Sequence, residues 1–194
     1  ARLADDFPGL RIVLMGKEMW HWGESVDDVI DAIVPEAHRK RVMRMGQIPR
    51  EQALAVAKNA TAFLHPAPWD NYPCAVLEAM AVGATCIVSD SGGQSEMVVD
   101  GESGLVHPAG DADALAEAIR KVLEDQELEE RLRAGAIARV TDITEPKKLA
   151  AEKMKVFEAM VEREKKALAD PLQQYRMPSF VQANTDLMPL PGKG

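Results

Sequence analysis

A short apolar strand, a proline-rich loop, a helix and a second apolar strand follow one another between residues 62 and 89. This unit constrains the fold more than any other stretch. The run AFL (62–64) leads into the loop HPAPWD (65–70), and DNYPCAVLEAMAVG (70–83) then carries a helix that Gly83 stops. The strand TCIVS (85–89) follows. Strands alternating with helices in this way belong in a parallel sheet. Two carboxylates mark the helix start: Asp70 stands just before it and Glu78 inside it, with seven residues between.

The spacing has a local physical meaning. Pro73 suits the first helical position, where its missing N–H is no loss. The next amides, on Cys74 and Ala75, have no intrahelical acceptor, and with the helix dipole they form a weakly positive anion site. Glu78 lies roughly 7 Å further along the axis at 1.5 Å per residue. Its Cα–Cβ bond tilts back toward the helix start, so both acids can approach one crevice. Ionised carboxylates only accept hydrogen bonds, which suits sugar hydroxyls. Amides for phosphate flanked by acids for hydroxyls describe a site for a nucleoside diphosphate sugar. The same residues also suit an unliganded helix, since an early Glu favours the dipole and an Asp before a helix is an ordinary cap.

The segment 61–119 resembles the donor-binding domain of retaining glycosyltransferases of family four, which have the two-domain GT-B fold. That family carries an acid, seven residues, and a Glu followed by Ala-Met-Ala-x-Gly, as in D-NYPCAVL-EAMAVG here. A second match is SDSGGQSEMVVDGESG (89–104), and a third is the acid-capped helix GDADALAEAI (110–119). Upstream, RMGQIP (44–49) is similar to the family's base-binding turn, and RIVLMG (11–16) to an earlier strand with its glycine loop. The likeness extends over about residues 9–160.

The resemblance implies roles by position. Glu78 holds the ribose hydroxyls, and Asp70 is the catalytic acid beside the transferred sugar. The amides of Asn71, Tyr72, Cys74 and Ala75 touch sugar and diphosphate. Ile48 meets the nucleobase through its backbone, Gly46 permits the close turn, and Gly92 and Gly93 line the neighbouring loop. The donor is a UDP-, GDP- or ADP-sugar, with no metal and no cofactor. The sequence departs from the family at two points. Asp70 replaces the more usual Glu, one methylene longer, which bears on reach to the sugar, choice of donor and catalytic strength. No Arg–Lys pair for the diphosphate follows a first strand, and Lys17 follows the next strand, so it does not inherit that role. Residues 1–9 read as the tail of the helix after that strand. The chain is therefore expected to begin inside the domain, without its central strand and without the N-terminal acceptor-binding domain.

The overall expectation is an α/β, Rossmann-like, mostly parallel sheet with helices on both faces, followed by C-terminal helices. Strands are expected at 10–15, 42–45, 61–64, 85–89 and 105–107, and helices at 25–33, 50–59, 73–82 and 112–123. Ligands in such sheets bind beyond the carboxyl ends of the strands, where Asp70 lies. Leu115, Ala118, Ile119 and Val122 share one helical face. Beyond residue 126 the chain turns helical and charged, with a short amphipathic turn at Leu128 and Leu132. A helix is expected after Thr144-Glu-Pro146, carrying Ala150, Met154, Phe157 and Val161 at helical spacing. These features divide the chain into a donor-binding domain with its closing helix at 1–167 and an extended tail at 168–194. Proline punctuates that tail, in which Phe180, Val181 and Leu187 are the apolar anchors.

Charge and cysteine usage narrow the function. A net charge of -8 argues against general nucleic-acid binding. Basic clusters such as HRKR (38–41) and Lys147-Lys148 read as solvated helix faces. No apolar run is long enough to span a bilayer, and no leader segment is visible, which leaves peripheral membrane association of a parent enzyme open. Cys74 and Cys86 have no metal or redox spacing, and His21, His38, His65 and His107 share no ligand spacing. His65, at a strand end, reads either as a crevice residue or as a structural one. The reading is the donor half of a cytoplasmic hexosyltransferase acting with retention on a hydroxyl acceptor. A nucleotide-sugar epimerase of GT-B fold and a non-catalytic binding or scaffold module are the alternatives.

Overall fold

Cys86, Ile87, Val88 and Ser89 are all fully buried, and the first unit of the protein is built around them. The computed structural model describes residues 3–17, 20–21 and 24–169. It falls into two units, Ala1–Ile143 and Thr144–Gly194. In the first, β1 (Ile12–Leu14) is followed by a two-stranded antiparallel pair, β2 (Trp20–His21) with β3 (Glu24–Ser25). Then come α1 (Val26–Ile33), α2 (Glu36–Arg39), β4 (Val42–Arg44), α3 (Arg50–Asn59), β5 (Phe63–His65) and α4 (Cys74–Ala81). β6 (Cys86–Ser89), α5 (Gln94–Met97), β7 (Leu105–His107), α6 (Ala112–Glu124) and α7 (Gln126–Ile143) complete it.

The strands form parallel ladders, as the strand–helix alternation requires. β5, β6 and β7 pair in that order, with Phe63 opposite Cys86 and Ile87 opposite Leu105. β1 pairs with β4 in a second, two-stranded parallel ladder. Side chains alternate across β6. Cys86 and Val88 pack into a cluster with Val76, Ala79 and Met80 of α4, Met97 of α5, and Ala136 and Val140 of α7. Ile87 points to the opposite cluster, with Ala118 and Val122 of α6 and with Leu132. Both faces of the strand are covered by helices, which explains why its sequence is uniformly apolar rather than alternating.

Local chemistry sets the helix ends. Ser25 caps α1 by accepting a hydrogen bond from the Asp27 amide at 3.1 Å. Asp111 caps α6 by accepting from Asp113 and Ala114, both at 2.9 Å. α3 has the expected span. The strands expected at 10–15 and 61–64 are Ile12–Leu14 and Phe63–His65, and Pro73 stands one residue outside α4, as its cap. α7 is a continuous helix of 18 residues, in the stretch beyond residue 126 where the chain is expected to turn helical. Its stripe Leu132, Ala136 and Val140 is buried. Arg133, on the same helix, donates to the carbonyls of Lys58, Ala60 and Gly83 at 2.7–2.9 Å, holding the ends of α3 and α4 together. At the N-terminus, Phe7 N bonds to Leu3 O at 3.0 Å in a single turn.

The second unit is described over α8 (Pro146–Ala169). It begins where the sequence places it: the Glu145 carboxylate accepts from the amides of Lys147 and Lys148. Met154, Phe157 and Val161 on this helix are exposed. Residues 170–194, with the anchors Phe180, Val181 and Leu187, lie outside the described residues.

Candidate functional site

The loop between β5 and α4 carries the first acid, and its neighbours hold it by backbone contacts. Pro66, Pro68 and Pro73 each fix a φ angle and limit the conformations of the loop. Ser89 at the end of β6 donates from Oγ to the Ala67 carbonyl at 2.5 Å. Gln94, fully buried, donates to the same carbonyl at 3.2 Å and to Ser89 Oγ at 2.8 Å. Further along, Gly93 N donates to Asp70 O at 2.8 Å. A Cβ on Gly92 would stand 2.2 Å from Asp70 O, and one on Gly93 would stand 2.0 Å from Asn71 O. Only glycine allows this approach, and Gly92 also takes a positive φ of 69°. The glycine pair is thus a clasp on the Asp70 loop.

Each acid meets one basic group from another element. Asp70 Oδ2 lies 3.5 Å from His65 Nε2 at the end of β5. Asp70 Oδ1 accepts from the Tyr72 amide at 3.2 Å. Asp70 thus engages the Tyr72 amide, because a carboxylate two residues back closes a tight side-chain turn. Glu78 Oε1 accepts from Arg50 Nε at 2.7 Å. The carboxylate side chains keep 38% and 36% exposure, so neither is sealed into the core.

The amides of Cys74 and Ala75 precede the first hydrogen bond at the start of α4, from Val76 N to Pro73 O at 3.0 Å. Both residues are exposed, as are Asn71 and Tyr72. The turn after β4 is built on Gly46, with φ of 61°. Gly46 O accepts from Gly16 N at 2.9 Å, which joins the loops after β1 and β4. Ile48 is half-buried, and the chain passes through Pro49 directly into α3 at Arg50.

Gly92 and Gly93 stand against the backbone of Asp70, Asn71 and Tyr72. The Gly46–Ile48 turn runs into α3, whose Arg50 reaches Glu78 on α4. Sequence reasoning missed Arg50, Ser89 and Gln94. The match at 89–104 includes Ser89 and Gln94, but it does not reveal their contacts with Ala67, and no pattern ties Arg50 to Glu78. Among the described residues, no group of three or more His, Cys, Asp or Glu side chains is placed to hold a metal ion. Among the same residues, no helix is long and apolar enough to cross a membrane.

A parallel sheet covered by helices on both faces, with an acid-bearing loop clasped at the start of α4, is the Rossmann-like half of a GT-B fold. The sequence model described as "Glycosyl transferases group 1" matches residues 1–139, and the chain belongs to that family. A glycogen synthase of Mycobacterium tuberculosis is 30% identical over 144 residues, 72% of this chain and 33% of that protein. The chain thus spans about a third of the length of such a curated relative. Among solved structures, a sucrose-phosphate synthase from Thermosynechococcus elongatus superposes with a TM-score of 0.66 at 26% identity, covering 79% of this chain and 39% of that one. Anabaena HepE in complex with UDP shares the fold, with a TM-score of 0.66, 19% identity, and 76% and 42% of the two chains covered.

Proposed function

We propose that this chain is the donor-binding half of a retaining glycosyltransferase that moves a hexose-type sugar from a nucleoside diphosphate sugar to a hydroxyl acceptor. The observation that carries the reading is the Gly92–Gly93 clasp on the loop that leads from Asp70 to the open amides of Cys74 and Ala75. A clasp of backbone on backbone fixes these donors before any ligand arrives. Preorganised donors act most strongly where charge builds during reaction, here on the departing diphosphate.

In this reading Glu78 accepts from the ribose hydroxyls, and the amides of Asn71, Cys74 and Ala75 face the diphosphate and sugar. The backbone at Ile48, released by the turn at Gly46, meets the base. Asp70 orients the sugar and stabilises positive charge on it as the bond to the diphosphate weakens. By the resemblance no metal or cofactor is needed, since helix amides and basic side chains stabilise the departing diphosphate. The acceptor side belongs to a separate N-terminal domain of the parent enzyme. The same reading makes that enzyme cytoplasmic, and the two free thiols at Cys74 and Cys86 accord with it. That a protein of the same fold is known in complex with UDP supports a nucleotide ligand in this reading.

Calorimetric titration with UDP-, GDP- and ADP-sugars tests the assignment. Glu78→Gln and Glu78→Ala are expected to weaken the preferred donor by about 10- to 100-fold, the loss of charge-assisted hydrogen bonds. Unchanged affinity across all three donors would overturn it.

A further inference from the structure

We propose that Arg50 is a positioning residue for nucleotide recognition, holding Glu78 in the orientation that accepts a ribose diol and thereby selecting ribonucleotides. This rests on the proposed donor site and goes beyond it, because nothing in the sequence pattern ties residue 50 to residue 78.

The geometry is specific. Arg50 is the first residue of α3, set by Pro49 with φ of -55°. The far end of that helix is held by Arg133 through the carbonyls of Lys58 and Ala60. Arg50 therefore projects from a fixed point. Its Nε donates to Glu78 Oε1 at 2.7 Å, a charge-assisted bond to one oxygen only. Glu78 Oε2 and the second lone pair of Oε1 stay available, and two vicinal hydroxyls need that many acceptors.

The exposure argues that the pair is not there for stability. Arg50 is 68% exposed and Glu78 36%. Pairs this open contribute little to folding. What the pair does achieve is orientation. Left alone, a glutamate samples several rotamers and presents its charge to any approaching anion. With Arg50 bound, the carboxylate is held in one orientation. Arg50 also follows Ile48-Pro49 directly, so one short segment links the base turn to the ribose acid.

The test uses the full chain and UDP, GDP, ADP and their 2′-deoxy counterparts, titrated against wild type, Arg50→Gln, Arg50→Lys, Glu78→Gln and the Arg50→Gln/Glu78→Gln double variant. Wild type is expected to prefer the ribonucleotide over its deoxy form. Arg50→Gln should weaken the ribonucleotide about 10-fold while barely changing the deoxy form, so that discrimination collapses. Arg50→Lys should recover part of it. The double variant should bind no more weakly than Glu78→Gln alone, the mark of two residues acting as one unit. A ribo-to-deoxy ratio unchanged in Arg50→Gln overturns the inference, as does an equal loss for both forms, which would make Arg50 a phosphate contact. If wild type binds none of the nucleotides, or Glu78→Gln changes nothing, the donor site itself fails. A working Glu78 with an indifferent Arg50 sinks only this inference.

Discussion

His65 Nε2 lies 3.5 Å from Asp70 Oδ2, across a loop of four residues that includes Pro66 and Pro68. The other carboxylate oxygen of Asp70 takes the Tyr72 amide at 3.2 Å. The backbone that leads into α4 thus hydrogen-bonds one carboxylate oxygen of Asp70, while the His65 ring stands near the other without a hydrogen bond.

Asp70→Asn keeps this shape and removes the charge. In the proposed reaction the charge counts most when the sugar becomes positive, so turnover should fall further than donor affinity. We expect a loss of about 100-fold or more in kcat, with donor Kd changed by less than about 5-fold. Steady-state kinetics and donor titration on the parent enzyme check this. An Asn variant with near-normal turnover would remove the catalytic role.

Gly93→Ala tests the clasp. Its Cβ would fall 2.0 Å from the Asn71 carbonyl oxygen, a backbone atom that cannot swing aside. Relief requires the Asp70 loop to move, and overpacking of this sort costs about 1–3 kcal/mol. Thermal unfolding should show that loss, together with weakened donor binding. Gly9→Ala is the control, because nothing lies within 4 Å of a Cβ there. Equal effects of the two substitutions would contradict the clasp.

The two cysteines should behave as opposites. Burial in the core pushes the Cys86 thiol up from 9.0 to about 12, whereas Cys74 is exposed at the start of α4. In the folded protein one thiol should label readily at neutral pH and the second only after denaturation. The folded state holds the Cys86 proton to higher pH than the unfolded chain does. Its stabilising contribution is therefore complete below pH 9 and is lost as pH rises toward about 12. The decline amounts to at most about 1.4 kcal/mol per pH unit. Urea unfolding of wild type and Cys86→Ala between pH 8 and 10 measures it: the variant should show the shallower slope.

Much of the fold was legible because local chemistry carries it. Proline at 73, the Asp111 cap and the apolar run at β6 each name their own element. The helical character beyond residue 126 was legible, but the extent of α7 was not. The helix's stability comes from the buried stripe of Leu132, Ala136 and Val140 against the sheet's helices. α5 was missed because GGQSEM carries no helical period, and its place is set by packing Met97 under β6 and hydrogen-bonding Gln94 to Ser89.

The sequence by itself determined the acid-bearing loop, the helix start behind it and the parallel alternation around them, since spacing, capping and backbone restrictions act within a few residues. Which cation meets which acid was decided only by the tertiary structure. Arg50 and Glu78 stand 28 positions apart, and their 2.7 Å contact exists because α3 and α4 pack side by side. The closeness of Gly93 to Asn71 depends likewise on β5 and β6 lying as parallel neighbours, a relation that no local pattern encodes.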